Sequence, residues 1–573
     1  MNARPFHPVD PLTTLHDILR NARARAPQDP ALVDLTPTPI PRLTFAELHD
    51  HVALFGRALS ALGLRAGAHV AVVAENRVQW ALAYLAAVCH NLVVVPVDAR
   101  LKENEIVTIV HASDAEAVIF SESYRDMFLR LRRSRSELKV LVDMDLAERR
   151  DGVESMTQVI AAERARPAQP GEAFPAGTPD MLAALVFTSG SMGTAKGVEL
   201  THGNIAANLM AMLRMIHILP TDRFLSILPM HHTYECTCGF LCPLHAGASV
   251  HFARSLRTVA DDMLSVRPTV VLGVPLLYDK MYRRIMTAIN ESTASRAMVP
   301  VLAGIATLLE GVGVRDLRRK FFHQMHERFG GAIRIFIVGG AAPDPMVARA
   351  FRAWGFTFVQ GYGLTETSPI VALNRLDDFR DDAAGIPLPG LDLRIDLPDA
   401  EGRGEICVRG PSVMRGYYRN PDATAEVLRD GWFHTGDLGW IDEDGFLRIA
   451  GRKKNVIIAR NGKNVYPEEL EDLVNRLPFV LESVVYGRRS AAGDEEIAVL
   501  VVPNADAVYE HANRHKAEVT PAFIHELIAK EVQGLNRSLP THKQIRDVRI
   551  KDEEFEKTTT QKIKRYLVSE TTS

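Results

Sequence analysis

The sequence predicts an α/β protein, with a large N-terminal domain of mostly parallel, helix-covered sheets plus a β-rich portion, and a small α+β C-terminal domain. Three observations predict it. Strand-like and helix-like stretches alternate between residues 69 and 120, the alternation returns at 333–359, and from Gly404 the texture changes to short strands and hairpin turns. A strand–helix–strand alternation of this kind builds a parallel sheet whose connecting helices cover its faces.

The first alternation starts at residues 69–74 (HVAVVA), a short apolar run after Gly67. Residues 77–90 have helical spacing, with Trp80, Leu82, Tyr84, Leu85 and Val88 apolar. Residues 92–97 are apolar and β-branched, 102–112 are helical again, and 117–120 form a further strand. In the second alternation, 333–338 is a strand and Gly339-Gly340-Ala341-Ala342 a tight turn. Asp344-Pro345 starts a helix, an N-cap followed by proline at the first helical position. That helix runs to about Trp354 and stops at Gly355, before a strand at 356–359. Later, Asp444-Gly445 is a hairpin turn, and Pro467-Glu468-Glu469 opens a helix with acids at its N-terminus.

At 573 residues the chain exceeds a single hydrophobic core. The polar break Arg452-Lys453-Lys454-Asn455 places the domain boundary, giving an N-terminal domain at 1–453 and a small C-terminal domain of mixed character at 454–573. A net charge of −3 gives no basic footprint for nucleic acid. Five cysteines without a regular framework fit a reducing compartment, residues 1–11 have no apolar core of a signal peptide, and the terminal Glu-Thr-Thr-Ser is no peroxisomal address, so a cytoplasmic location is expected. The longest apolar stretch, 298–314, is broken by Pro300, Gly304, Glu310, Gly311 and Gly313, and is followed by Arg315, Arg318, Arg319 and Lys320. It reads as a buried helix with a solvated basic end; a peripheral membrane contact is the alternative.

The strongest chemical signal is the stretch from Leu185 to Val198, where a strand runs into a loop of small and hydroxyl residues holding one lysine. Backbone N–H groups and hydroxyls in such a loop can approach phosphates. It lacks the Gly-x4-Gly-Lys-Ser/Thr order of a Walker loop, since Lys196 is followed by Gly197 and another strand. Loop chemistry alone leaves a phosphate site and a surface loop both open.

The stretch Thr188, Ser189, Gly190, Ser191, Met192, Gly193, Thr194, Ala195, Lys196, Gly197 resembles the signature of the adenylate-forming superfamily of acyl-CoA synthetases, peptide-synthetase adenylation domains and beetle luciferases, although many members have proline at the place of Ala195. Further motifs of that family follow in order. Leu228-Pro-Met-His-His-Thr-Tyr234 resembles the acyl-site motif, and Gly339-Gly340-Ala341-Ala342-Pro343 the adenine-site turn. Gln360-Gly361-Tyr362-Gly363-Leu364-Thr365-Glu366 resembles the motif that stacks on adenine and positions magnesium. Trp432 to Asp437 and Gly451-Arg452 resemble the ribose-binding pair, and Lys562 lies in a tail like the family's terminal lysine motif, with Gln561 where a glycine is usual.

The resemblance implies ATP, Mg2+ and CoA as reactants and cofactors. On that resemblance the loop at 188–197 would hold the β- and γ-phosphates, Glu366 with Thr188 nearby would hold magnesium, and Tyr362 would stack on adenine. Asp437, an acceptor, suits the ribose hydroxyls, with Arg452 assisting. Lys562, His232, Thr365 and Glu366 are the expected catalytic residues. Lys562 bridges the acyl carboxylate and the α-phosphate, because joining two anions needs cations and donors. Lys454 matches the hinge about which the small domain rotates after adenylation, and Gly462 would then line the thiol channel; Gly462 as a simple turn glycine is an equal alternative.

His231 and His232 stand near Cys236, Cys238, Cys242 and His245, which could suggest zinc, but the spacing is not that of a finger or ribbon, and Phe240, Leu241 and Leu244 make the segment read as buried and apolar. His232 matches the histidine lining the acyl site. Residues 230–234 offer no acid for a substrate ammonium, so an uncharged acyl chain is expected, although Glu235 follows at once. The acyl-site motif and the tail together look most like bacterial long-chain fatty acyl-CoA synthetases. The expected reaction is activation of a medium- or long-chain fatty acid to acyl-AMP with release of pyrophosphate, then transfer to CoA. An acyl carrier protein is the alternative acceptor. An inactive relative that only binds nucleotide or lipid is the other alternative, against which Lys196, Glu366, Asp437, Arg452 and Lys562 argue. Chain length and oligomeric state are not written in the sequence.

Overall fold

The computed structural model describes residues 5–167, 173–188, 195–311, 317–459, 461–489, 495–558, 563–565 and 567–568, without the side chains of residues 294, 295 and 311. The chain divides into two compact units, the first formed by residues 1–392 and 408–433, the second by 393–407 and 434–573.

The first unit carries two sheets. In one, the strands Lys196–Thr201, Leu182–Thr188, Val93–Val97, His69–Val73, Ala117–Phe120 and Val140–Asp143 lie side by side in that order. From Leu182–Thr188 onward they run parallel, and Lys196–Thr201 turns back antiparallel on Leu182–Thr188. In the other sheet, Arg223–Ser226, Val270–Gly273, Ile335–Val338 and Thr357–Gly363 are parallel neighbours, and Ile370–Leu373 returns antiparallel at the end of Thr357–Gly363. Central parallel strands are buried on both faces, which is why Val93–Val97 and Ala117–Phe120 are uninterrupted apolar runs.

The helix Val78–Cys89 touches strands of both sheets, and all twelve of its residues are buried. Trp80 stacks on Tyr84 at 5.4 Å between ring centres, and both meet the edge of Phe240. Apart from Gln79, which accepts from Arg77 Nε, the helix is apolar on every side because it has no solvent face.

The turn before Pro345–Ala353 follows its chemistry. Asp344 accepts a hydrogen bond from Met346 N at 2.8 Å, Pro345 occupies the first turn, and Gly355 at φ +87° ends the segment in a conformation that favours glycine. The stretch at 298–314 is different from the expected buried helix. Its described part lies in the helix Thr293–Gly311, where Met298, Val301, Ile305, Leu308 and Leu309 are exposed. Nor is its basic end simply solvated: Arg318 pairs with Glu310 at 2.8 Å, and Arg319 donates to the carbonyl of Ile333. Apolar composition marks a helix that wants cover, but does not say what covers it. No described helix is long and apolar enough to cross a membrane.

In the second unit, Trp432–Ile441 pairs antiparallel with Leu447–Arg452 across the loop holding Asp444 and Gly445. The Asp442 carboxylate closes that loop by accepting from the N–H groups of Asp444 and Phe446. Further on, Val480–Arg489, Glu495–Pro503 and Asp547–Ile550 form a three-stranded sheet. The helices Pro467–Val474, Ala505–His515 and Pro521–Asn536 contribute Leu470, Val508 and Ile528 to its core.

Candidate active site

Thr188 ends one strand and Lys196 begins the next, and the two are register partners across the hairpin. Residues 189–194, expected at the phosphates, lie outside the described residues. Beyond the hairpin the chain adds a partner that sequence reasoning missed. The short strand Gly416–Tyr417 pairs antiparallel with Lys196–Thr201, which lays the Tyr417 ring 4.9 Å from Lys196 Nζ. The Tyr417 hydroxyl then donates to Glu366 Oε1 at 2.9 Å. Through one tyrosine the structure links the lysine of the glycine-rich loop to the glutamate of the Tyr-Gly-Leu-Thr-Glu motif. The turn carrying Thr365 and Glu366 is itself fixed: Met414 N donates to the Glu366 carbonyl, and Asn208 Nδ2 to the carbonyls of Thr367 and Ile370.

Gly339 to Ala342 form the turn after Ile335–Val338, with Gly340 at φ +84°. A Cβ on Gly339 would stand 2.8 Å from the Tyr234 ring, so glycine there lets the acyl-motif tyrosine lie directly against the turn. In the neighbouring strand Gln360 is buried, and Gly361, Tyr362 and Gly363 form the end that pairs with Ile370–Leu373. A Cβ on Gly363 would meet the Pro369 carbonyl at 2.1 Å.

An apolar cavity opens between the helix His202–Met215 and these strand ends. Met212, Ile216, Phe224, Cys238 and Leu373 line it, and Ile337, Val338 and Gly361 bring it to the two motif-bearing strands. Tyr234, Cys238 and Cys242 reach it from successive turns of the segment Tyr234–Cys242, which begins as a π-helix. Burial pushes the Cys236 and Cys242 thiols up to about 12, so they act as small apolar groups.

The His231 and His232 rings lie against each other, tilted by 44° with ring centres 4.1 Å apart. The Nε2 of His231 stays 3.6 Å from Asp98, beyond hydrogen-bonding reach, and burial drives its pKa down to about 3, so the ring is neutral. Glu235 is buried with its carboxylate against Gly239, and burial raises it to about 8. At neutral pH it is mostly an uncharged acid.

In the second unit, register sets Asp437 and Arg452 opposite each other, and Arg452 Nε lies 2.7 Å from Asp437 Oδ1. Asp437 is buried while the arginine stays partly exposed. Gly451 is required by Glu468, whose carboxylate would stand 2.5 Å from a Cβ there. Nearby, Cys407 Sγ is 3.3 Å from His434 Nδ1, and Asp396 completes a cluster of metal-ligand type; burial pushes the thiol up to about 11, which disfavours the thiolate a metal needs. Lys454 sits in the turn Lys453–Asn455, its ammonium pKa lowered by burial and by Arg452. Gly462 is at φ +77° in the turn between Ile457–Ile458 and Asn464–Val465, with open space where a side chain would project. Lys562 lies outside the described residues.

A family model described as AMP-binding enzyme matches residues 19–418, and the model of that family's C-terminal domain matches 454–571. The chain belongs to the AMP-binding enzyme family. It is 30% identical to a long-chain-fatty-acid–CoA ligase 6 of Homo sapiens, over 90% of this chain and 77% of that protein. It is equally 30% identical to the long-chain-fatty-acid–CoA ligase FadD15 of Mycobacterium bovis, over 92% of this chain and 90% of the relative. Among solved structures it resembles ATP-bound MatB from Rhodopseudomonas palustris, with a TM-score of 0.76 and 26% identity over 98% of this chain and 99% of that one. The α/β architecture expected from the sequence is therefore the architecture of this family.

Proposed function

We propose that the protein is an AMP-forming acid–thiol ligase that activates a medium- or long-chain fatty acid and passes it to CoA. The observation that carries this reading is the apolar cavity ending at Ile337, Val338 and Gly361, on the two strands that run into the Gly339–Gly340 turn and the Gln360–Glu366 motif. An acyl chain in that cavity puts its carboxylate at the nucleotide motifs. Among the described residues lining the cavity there is no Asp or Glu to hold a substrate ammonium, and the nearby Glu235 is mostly protonated at neutral pH.

In the first step a carboxylate oxygen attacks the α-phosphorus, and the bond to the β-phosphate oxygen breaks, releasing pyrophosphate. In the second a thiol sulfur attacks the acyl carbon, loses its proton, and AMP leaves. Lys196 and residues 188–194 hold the phosphates in this reading, Tyr362 and the Gly340–Ala342 turn the adenine, Asp437 and Arg452 the ribose, His232 and Thr365 the reacting carboxylate region. Lys562 supplies positive charge between the two anions. The Glu366 carboxylate and the Thr188 hydroxyl are hard oxygen donors of the kind Mg2+ takes when most of its shell is phosphate and water. Magnesium held there would offset charge on the phosphate oxygens. Lys454 is the proposed hinge separating a domain at 1–453 from one at 454–573, Gly462 the proposed wall of the thiol path, and the cytoplasm the proposed location.

Formation of acyl-CoA from ATP, palmitate and CoA, followed by mass spectrometry, tests the reading. Acyl-AMP that accumulates with CoA present, but is consumed on adding acyl carrier protein, would reassign the acceptor. No acyl-AMP and no thioester would overturn the reading.

A further inference from the structure

The helix Thr293–Gly311 has two apolar faces. Val299, Leu302 and Ala303 turn inward, packing against the cluster holding Phe336 and Trp354, and Ala306 is buried. Met298, Val301, Ile305, Leu308 and Leu309 face solvent, with Leu308 75% exposed and Val301 58% exposed. Positions 298, 301, 305 and 308 repeat at helical spacing, so they form one stripe, about 15 Å long at 1.5 Å per residue. Among the exposed residues described between 296 and 309, only Arg296 and Thr307 are polar. The Thr307 hydroxyl is already engaged, donating to the Ala303 carbonyl and accepting from Arg318, both at 2.8 Å. Single exposed apolar residues are ordinary; a continuous stripe on a soluble surface marks contact with something.

Charge indicates with what. Residues 275–330 hold nine Lys and Arg against five Asp and Glu, in a chain whose net charge is −3. Lys280, Arg283, Arg284 and Lys320 are exposed on the elements flanking the stripe. A second copy docked stripe to stripe would set two basic segments against each other, which is unfavourable. An anionic bilayer surface attracts them while taking the apolar stripe into its acyl boundary. We propose that Thr293–Gly311 is a membrane-surface helix that docks the protein on anionic phospholipid, lying in the interface plane. This inference stands apart from the proposed substrate, because the stripe and its charges make no use of the nucleotide motifs.

The test is co-sedimentation of the full chain, without ATP or fatty acid, with vesicles of phosphatidylglycerol and phosphatidylcholine, and of phosphatidylcholine alone. Binding is expected on the anionic vesicles and should weaken as salt is raised. The double variant Ile305→Ser/Leu308→Ser should lower the partition coefficient at least about tenfold; both side chains are exposed, so the fold is kept. Lys280→Glu/Arg284→Glu should weaken binding to the anionic vesicles. Leu397→Ser, at a side chain 86% exposed elsewhere, should change nothing. Wild-type protein left in the supernatant, or a serine double variant that binds like wild type, would overturn the inference. So would a wild-type dimer in solution that becomes monomeric in the double variant, since the stripe would then be covered by a second copy.

Discussion

Tyr417→Phe is the sharpest perturbation of the proposed nucleotide site, because it removes one oxygen and leaves the ring. The Tyr417 hydroxyl donates to Glu366 Oε1 at 2.9 Å, and the tyrosine is only 9% exposed, so water is poorly placed to replace it. The ring 4.9 Å from Lys196 Nζ is retained in phenylalanine, and with it the cation–π contact. A hydrogen bond to a charged group is worth about 1.5–3 kcal/mol, which corresponds to a loss of roughly 10- to 150-fold in the adenylation rate if the full term is felt in the transition state. Glu366→Gln sets the scale for losing the carboxylate charge itself, about 100-fold or more. The assay is ATP-dependent pyrophosphate release at limiting and saturating magnesium. If Tyr417 orients Glu366 for the metal, Tyr417→Phe should lose most at limiting magnesium and partly recover at saturation. Wild-type activity of Tyr417→Phe at limiting magnesium would refute the reasoning.

Other outcomes follow from the same geometry. Lys562→Ala should slow acyl-AMP formation strongly yet still convert synthetic acyl-AMP and CoA to thioester; loss of both steps in the folded variant would contradict the role. Gly462→Leu should do the reverse. Because Gly462 is at φ +77°, Gly462→Ala carries similar backbone strain, about 1 kcal/mol, without the bulk, and should keep thioester formation. Cys238→Phe adds volume at the cavity wall and should reduce kcat/KM for long acids at least about tenfold while sparing short ones; an equal loss at all chain lengths would place the acyl chain elsewhere. Glu235 is raised from 4.5 to about 8 by burial, so the stability it contributes is complete below pH 4.5 and lost as pH rises through 8. Glu235→Gln does not titrate, so its Tm relative to wild type should climb between pH 5 and 8; a pH-independent difference would contradict the assigned burial.

Much of the fold was legible because local chemistry and final structure agree. The strand at Ala117–Phe120, the Asp344-Pro345 helix start and the Gly355 stop are set by residues that touch one another in sequence. The Asp437–Arg452 pair was within reach for the same reason, since a hairpin turn at Asp444–Gly445 brings their strands together. Tyr417 was not, because it meets Lys196 through pairing between segments more than two hundred residues apart, and meets Glu366 from 51 residues along the chain. The cavity was equally hidden: Met212, Phe224, Cys238 and Leu373 come from four separate elements, and nothing in their spacing says that they leave a space. Helices were found, but the surroundings of one were misjudged: 298–314 reads as a buried helix and is not one. The helix Val78–Cys89 is buried on every face, whereas Thr293–Gly311 bares an apolar stripe, and mean hydropathy is blind to that difference.

The central claim is that the cavity beside the nucleotide motifs receives a fatty acyl chain. The measurement that tests it most directly is the rate of acid-dependent pyrophosphate release from ATP across straight-chain acids from acetate to long-chain fatty acids, with a panel of amino acids alongside. The account predicts that medium- or long-chain acids give the highest kcat/KM and that amino acids and acetate fall far behind. A preference for a free amino acid or for acetate, or pyrophosphate release indifferent to the acid supplied, would contradict it.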